Sequence, residues 1–278
     1  MKDEQIELWD GPLGDIWATK QQDYDRIFRD LDSGLYAHAD IKHGMKILDV
    51  GCGCGTTALY AASSVGSGGQ VTGIDVSTAM LKLARARAAA ASASIQFIQA
   101  DAATYSFEKA GFDLIVSRLG VMFFADPQAA FKNLHNSLKK HGSLCFLCFR
   151  SVEENSWASE PLRIALPFLK SLEVIDPDQP GPFAFANADR LKKILQASEF
   201  RDIAVIPFNP TIYLGDDAVK AAEEVMRFGQ LARVMRVQQT DKSTKGEIKK
   251  QLVSYYETQK SAPEIEHEAA CWIVKANG

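Results

Sequence analysis

The chain has no apolar run long enough to cross a bilayer: the strand-like LCFLCF at 144–149 is far too short, so stable membrane insertion is not expected. Its opening residues, MKDEQIELWDG, carry charge where a cleaved leader would carry an apolar stretch before a small-residue site, and the expected compartment is the cytoplasm. Metal-ligand spacing is missing as well, because no second cysteine or histidine pair lies at a zinc-binding distance. The five cysteines are an odd count. Cys145 and Cys148 sit three apart in a strand-like run and so face opposite ways, which predicts buried free thiols and no redox pair. Cationic excess is absent too: 31 Lys and Arg against 35 Asp and Glu leave a formal charge of −4, and no basic stripe is interleaved with aromatics. Nucleic acid is therefore not an expected partner. No internal repeat appears, and 46% hydrophobic residues over 278 positions is ordinary for a packed protein with room for one large domain and a lid.

What is present is alternation. From about 46 to 150, short apolar runs (KILDV, VTGID, IQFIQ, FDLIVS, SLCFLCF) are separated by amphipathic stretches, the pattern of βαβ units on a parallel sheet. Ser77 is a plausible N-cap for a helix carrying Met80, Leu83, Ala84 and Arg87 at helical spacing. Asp126-Pro127 starts another that buries Ala130, Phe131, Leu134 and Leu138, with Gly142 ending the loop before the fifth strand. After 150 the alternation stops: five of the ten prolines fall between 161 and 182, which predicts a loop-rich cover with one helix around Trp157–Leu169. A helix at 188–197, a strand at Asp202–Phe208 and a last strand in AACWIVKA resume the core. Residues 216–260 read as helices whose mixed charges, among them Arg227, Arg233, Arg236, Lys249 and Lys250, form a solvated face. The 15–40 region also reads as helical. The expected division is an N-terminal helical cap (1–45), an α/β core (46–150), a lid insertion (151–186), and a completion of the core sheet (187–278) carrying a helical lid insertion at about 216–262.

The residues that carry chemistry begin at Asp49. ILDVGCGCG places glycine at 51, 53 and 55, directly after a buried strand and before a helix starting at Thr56. Glycines at every second position mark a bend where backbone approaches a ligand, the general position at the carboxyl end of the first strand of an open α/β sheet. Dinucleotide enzymes would space them G-x-G-x-x-G, whereas here the sixth position is threonine. If an adenosine-type cofactor sits on this loop, a carboxylate ending the second strand should meet its ribose hydroxyls, and Asp75 stands twenty residues after Gly55. The loop after the third strand offers Gln99, Asp101 and Ala102 for the adenine edge. The fourth strand runs out at Ser117 and Arg118, beside the first; Arg118 either pairs with a carboxylate or orients a ligand. Phe123 and Phe124 read as core or pocket wall.

LDVGCGCG, VTGIDVSTAML, IQADA and FDLIVSRLGVMFF followed by DPQAAFKNLHNSLKKHGSL resemble, in order and spacing over about 46–150, the class I S-adenosylmethionine (SAM) methyltransferases of the ubiquinone/menaquinone-biosynthesis type, often called the methyltransferase-11 group. The resemblance implies a Rossmann-like three-layer α/β sandwich: a seven-stranded, mostly parallel sheet with a reversed last strand, plus helical lid segments. It implies SAM as cofactor and S-adenosylhomocysteine as product. It places Asp49, Gly51, Gly53 and Gly55 around the methionine moiety and Asp75 on the ribose. Val76 and Met80 then lie by the adenine, Asp101 and Ala102 at its amino edge, and Ser117 with Arg118 near the methyl group. Cys54 departs from the commoner GCGTG loop without blocking binding.

A methyl transfer of this kind needs a nucleophile held in line with the methyl group, exclusion of water and, for a hydroxyl or acidic carbon, removal of one proton. No residue is singled out as that base; His38, His43, His135, His141 and His267 read as surface or capping histidines. Trp9, Trp17, Tyr24, Trp157, Phe183, Phe185, Phe208, Tyr213 and Phe228 in the cover segments suggest an apolar pocket for a small organic acceptor with an aromatic or lipid-like part. After the fourth strand stands SRLG, where amide- and base-methylating relatives carry an N-P-P-Y-like tetrad, so oxygen or carbon acceptors are favoured, with small amines left open. The competing readings are an NAD(P)-dependent oxidoreductase on a similar sheet and a protein or RNA methyltransferase. Partner expectations are a small-molecule substrate, no nucleic acid, and room for a homodimer.

Overall fold

A computed structural model of the chain describes residues 4–170, 178–259 and 264–278. Four helices open it: α1 (Glu4–Trp9), α2 (Pro12–Thr19), α3 (Gln21–Ile27) and α4 (Arg29–Ala39). They begin well before the region the sequence marks as helical, since Pro12 suits a first helical turn and Tyr24, Ile27, Leu31 and Leu35 follow at spacings that bury one stripe. The alternating core comes next, with β1 (Lys46–Val50), α5 (Thr56–Val65), β2 (Gln70–Asp75), α6 (Thr78–Ala90), β3 (Ile95–Gln99), β4 (Phe112–Arg118), α7 (Pro127–Ser137) and β5 (Leu138–Phe149). Ser77 and Asp126 act as N-caps, their side chains accepting the N–H groups of Met80 and Ala129. The face of α6 that is buried carries Met80, Leu81, Ala84 and Ala88; Leu83 is only half-buried, and Arg87 turns instead toward a carboxylate of α3. β5 starts at Leu138, ahead of Gly142, because the chain pairs with β4 through a register shift at Phe112/Leu114.

The cover follows as α8 (Ser156–Ala165), ending in a 3₁₀ turn at Leu166–Phe168 where Pro167 cannot continue the α-helical ladder, then α9 (Ala188–Ala197) and β6 (Arg201–Phe208). Part of the expected lid insertion, 171–177, lies outside the described residues. The remainder is β7 (Thr211–Gly215), α10 (Ala218–Val225), α11 (Gly229–Val237), α12 (Lys242–Gln259), β8 (Ile265–Glu268) and β9 (Cys271–Asn277). The antiparallel pair β7–β8 was not anticipated: IEHE carries no apolar alternation, and its pairing with TIYLG spans the whole lid.

The main sheet has the strand order β3-β2-β1-β4-β5-β9-β6, with β9 antiparallel to both β5 and β6 and the pairs β1–β2, β2–β3, β1–β4 and β4–β5 parallel. The order reverses at β1, so right-handed crossovers carry α5 and α6 to one face and α7 to the other. The switch point therefore opens a crevice at the carboxyl ends of β1 and β4. Ile47, Leu48, Ile115, Leu144, Phe146 and Ile273 fill the sheet's core with almost no exposure. Among the described residues no helix is long and apolar enough to cross a membrane. All five cysteines are free, and only Cys54 is not fully buried.

Candidate active site

The crevice at the switch point is a cavity of about 680 Å³. Its floor is the β1–α5 loop. Gly51 has φ +66°, and a Cβ built on it would stand 2.8 Å from Gly120 Cα, so the loops ending β1 and β4 touch backbone to backbone. Gly53 also has positive φ, but a Cβ there would meet only Met80 Sδ at 3.7 Å; its N–H donates to Asp75 Oδ2 at 2.8 Å. Asp75 Oδ1 accepts the Ser77 N–H at 2.9 Å. Burial raises the Asp75 pKa while these N–H groups work against that rise, and each oxygen keeps lone-pair capacity for a hydroxyl.

Asp49 lies just behind the loop, 1% exposed, and neither carboxylate oxygen has a hydrogen-bond partner. Burial pushes its pKa up to about 7; Arg118, and an Ala58 N–H outside hydrogen-bonding geometry, pull the other way. A carboxylate buried without a donor is costly, and the charge of Arg118 is what offsets part of that cost here.

The N-terminal helices close the cavity through two ion pairs. Arg118 Nη1 donates to Asp32 Oδ1 at 2.8 Å, both side chains mostly buried; desolvation pulls the arginine's pKa down, and Asp32, Tyr36 and Asp25 together raise it on balance. Asp25 accepts Thr56 Oγ1–H at 2.7 Å and Arg87 Nη2–H at 2.9 Å, while Arg87 Nη1 donates to the Cys54 carbonyl at 2.8 Å. The cap helices are thus fastened to the glycine loop itself. The sequence carried a signal for this pairing: Asp25 and Asp32 stand seven apart beside buried Tyr24, Phe28, Leu31 and Leu35, and two carboxylates on an apolar stripe require cations nearby.

An aromatic wall continues from the cap into the lid. Trp9 packs edge-on to Phe123, Trp17 stacks on Tyr24 at 4.1 Å, and Phe228 stacks on Trp157 at 5.4 Å. Trp9, Trp17, Tyr24, Phe123, Phe124, Trp157 and Phe228 line the cavity; Phe183, Phe185, Phe208 and Tyr213 do not, and belong to the packing around it. Tyr24 Oη is buried without a partner. None of the five histidines lines the cavity.

Of the residues singled out in the sequence, Gly51, Gly53, Asp75, Val76, Met80, Asp101, Ala102 and Arg118 line this one cavity. Asp49, Gly55 and Ser117 stand behind its surface. A Cβ on Gly55 would meet Ala84 and Phe97, and the Ser117 hydroxyl accepts the Gly120 N–H at 3.2 Å, holding the turn that touches Gly51. Asp101 accepts the Ala103 N–H at 2.8 Å and shapes its own loop, while Gln99 donates to Thr78 Oγ1 and the Val76 carbonyl. One reading is corrected in part: Arg227 and Arg233 are half-buried and line the cavity, whereas Arg236 lines its mouth and stays exposed. Charge composition cannot report which way a lid helix is turned; the helix α11 presents Gly229, Ala232, Arg233 and Arg236 inward because Leu231, Val234 and Met235 are taken by the lid's own core.

Residues 47–142 match the family described as "Methyltransferase domain". Over 183 residues the chain is 30% identical to the demethylmenaquinone methyltransferase of Staphylococcus epidermidis, covering 61% of this chain and 73% of that protein. The chain belongs to the class I SAM-dependent methyltransferases of the ubiquinone/menaquinone type. A shorter stretch of this methyltransferase, 105 residues or 38% of the chain, is 38% identical to 21% of phosphoethanolamine N-methyltransferase 1 of Triticum aestivum. Among solved structures, a putative methyltransferase from Bacillus halodurans shares the fold with a TM-score of 0.58 at 19% identity, over 88% of this chain and 97% of that one. Phosphoethanolamine N-methyltransferase 2 of Haemonchus contortus, solved with S-adenosyl-L-methionine, aligns with a TM-score of 0.60 at 19% identity over 99% of this chain and 60% of that one. The methyltransferase is an enzyme whose cofactor is SAM, and the oxidoreductase reading of its glycine loop falls away.

Proposed function

We propose that this methyltransferase seats SAM across the carboxyl ends of β1, β2 and β3 and methylates a small, largely apolar or aromatic acceptor at oxygen or carbon. The observation that carries the reading is the continuity of the cavity, which has the glycine loop and Asp75 at one end and Trp157, Phe228 and Met122 at the other. The residues fit the cofactor: Asp49 is a buried carboxylate without a partner, suited to an ammonium group, and Gly53 leaves room for a close approach. When bound, SAM supplies a methyl group already activated on a sulfonium, and S-adenosylhomocysteine is the product.

The chain's own residues position and enclose. Asp75 accepts ribose hydroxyls on its free lone pairs, Val76 and Met80 pack on the adenine, and Asp101 with Ala102 meets its amino edge. Asp49, Gly51, Gly53 and Gly55 frame the methionine moiety. Ser117 fixes the Gly120 turn, and Arg118, fastened to Asp32, holds the cap over the reacting end and keeps water out. The relatives named for demethylmenaquinone support an aromatic acceptor, and the ring-lined wall is its complement. The protein works in the cytoplasm, and no nucleic acid takes part; a homodimer is compatible with the fold.

A thermal-shift assay tests the cofactor seat. At a hundredfold excess over Kd, S-adenosylhomocysteine adds about 2.7 kcal/mol, raising Tm by roughly 5 °C, while NADH leaves it unchanged. Incubation with SAM and a metabolite library then identifies the acceptor by release of S-adenosylhomocysteine. A shift with NADH alone, or turnover only with protein or RNA, overturns the proposal.

A further inference from the structure

The charges lining the cavity are not all accounted for. Asp25, Asp75 and Asp101 are each engaged by donors named above, and Asp126 accepts the Ala129 N–H that it caps. Arg118 is held by Asp32, and Arg227 donates to the buried Glu224 at 2.7 Å. That leaves Arg233 and Arg236. Neither makes a hydrogen bond or an ion pair with another described residue, although both face the cavity from one side of α11.

Their placement is specific. A Cβ built on Gly181 would lie 3.3 Å from Arg233 Nη1, so the guanidinium rests over a position that has no side chain, in the Pro180-Gly181-Pro182 turn. That turn is tied to the end of β4 by the Gly181 N–H, which donates to the Met122 carbonyl at 3.1 Å. Arg233 thus stands on the lid side of the cavity, on the helix whose first residue, Gly229, packs against Trp157 beside Phe228. Arg236 lies one turn further along, exposed at the mouth, and partial desolvation together with the charge of Arg233 lowers its pKa. Two guanidiniums on one face repel each other unless an anion lies between them, and planar forks of this kind match carboxylate and phosphate oxygens.

We infer that the acceptor carries an acidic group, a carboxylate or a phosphate, held by Arg233 and Arg236 while its apolar body lies along Trp157 and Phe228. The inference rests on the proposed acceptor end of the cavity and narrows its substrate class to anionic amphiphiles.

Isothermal titration calorimetry of the full chain with 1-naphthoate, 1-naphthyl phosphate and neutral 1-naphthamide, with and without S-adenosylhomocysteine, tests it. At least one anionic probe should bind about tenfold or more tightly than the amide, and the R233Q/R236Q variant should lose that preference. Whichever anion binds better tells a carboxylic from a phosphorylated acceptor. The single R236Q variant, altered at an exposed side chain, should lose roughly threefold and keeps the test open if the double variant fails to fold. Equal binding of amide and anions, binding of none of the three, or a preference that survives in the double variant overturns the inference. So does a tenfold loss of S-adenosylhomocysteine affinity in that variant, which would assign the arginines to the cofactor's own carboxylate. An intact anion preference in a wild-type protein that fails to bind S-adenosylhomocysteine supports the subsite and overturns the cofactor placement instead.

Discussion

Replacing Asp49 with asparagine removes a buried acid whose ionisation the fold alone does not support. Its carboxyl is 1% exposed and has no hydrogen-bond partner, and its pKa is raised to about 7 from the ordinary 3.8. Because the folded-state pKa lies above the unfolded one, the folded protein binds the extra proton. The stabilisation is fully present below about 3.8 and is lost as pH rises through about 7. Integrated from pH 5 to pH 8, the loss is on the order of 3 kcal/mol. For a chain of this length that corresponds to roughly 5 °C in Tm. The Asp49→Asn variant lacks this component, so the stability of wild type relative to the variant should fall by that amount between pH 5 and pH 8, measured by urea unfolding at each pH. Seating an ammonium beside Asp49 reverses the balance. At pH 6 the free carboxyl is mostly protonated, and cofactor binding should release close to 0.9 proton, read by calorimetry in buffers of different ionisation enthalpy. In the variant, proton release should vanish and affinity for S-adenosylhomocysteine should fall about tenfold or more. A pH-independent difference between the two proteins, or equal proton release from both, would refute the reasoning.

The two loop glycines should separate cleanly. Gly51→Ala drives a Cβ to 2.8 Å from Gly120 Cα at a positive φ and should cost stability and at least about tenfold in S-adenosylhomocysteine affinity, whereas Gly53→Ala, meeting only Met80 Sδ, should cost about 1 kcal/mol from backbone strain. Arg118→Met strands Asp32 in a mostly buried position and should lower unfolding free energy by about 3 kcal/mol, and adding Asp32→Leu should recover part of it in the same denaturation assay. With Ellman's reagent at pH 8, at most Cys54 should react in the native protein and all five thiols after denaturation. Burial pushes the Cys54 and Cys145 thiols up to about 12, and S-adenosylhomocysteine should slow Cys54 further.

How far the sequence reaches depends on whether a residue's role is set by its neighbours in the chain or by distant ones. ILDVGCGCG, VTGID and the capping residues Ser77 and Asp126 state their roles locally, because strand ends, glycine bends and N-caps are decided within a few residues. For the same reason strands β1 to β5 follow from the alternation over 46–150 and β6 and β9 from the later apolar runs, while the order of the seven strands, and with it the switch point, was what the family resemblance implied. The pairing of β7 with β8 was not legible, since it joins residues 50 to 57 positions apart across the lid and one partner, IEHE, has no strand-like apolar pattern.

The cap and lid show the same limit in their charges. Arg118 reads from the sequence as a strand-end residue with two possible roles; Asp32, 86 positions earlier, supplies the carboxylate partner, and the arginine lines the cavity as well. Arg233 and Arg236 sit in a helix whose composition alternates basic and apolar residues, as any amphipathic surface helix does. Only the packing of Leu231, Val234 and Met235 into the lid turns the basic face toward the cavity, where Arg118 and Arg227 hold carboxylates and these two have no partner among the described residues. A one-residue rotation of α11, about 100°, would have turned both guanidiniums away from the cavity with the same sequence composition. The specificity of the acceptor end is therefore encoded in the lid's apolar contacts, which aim the charges, as much as in the arginines themselves.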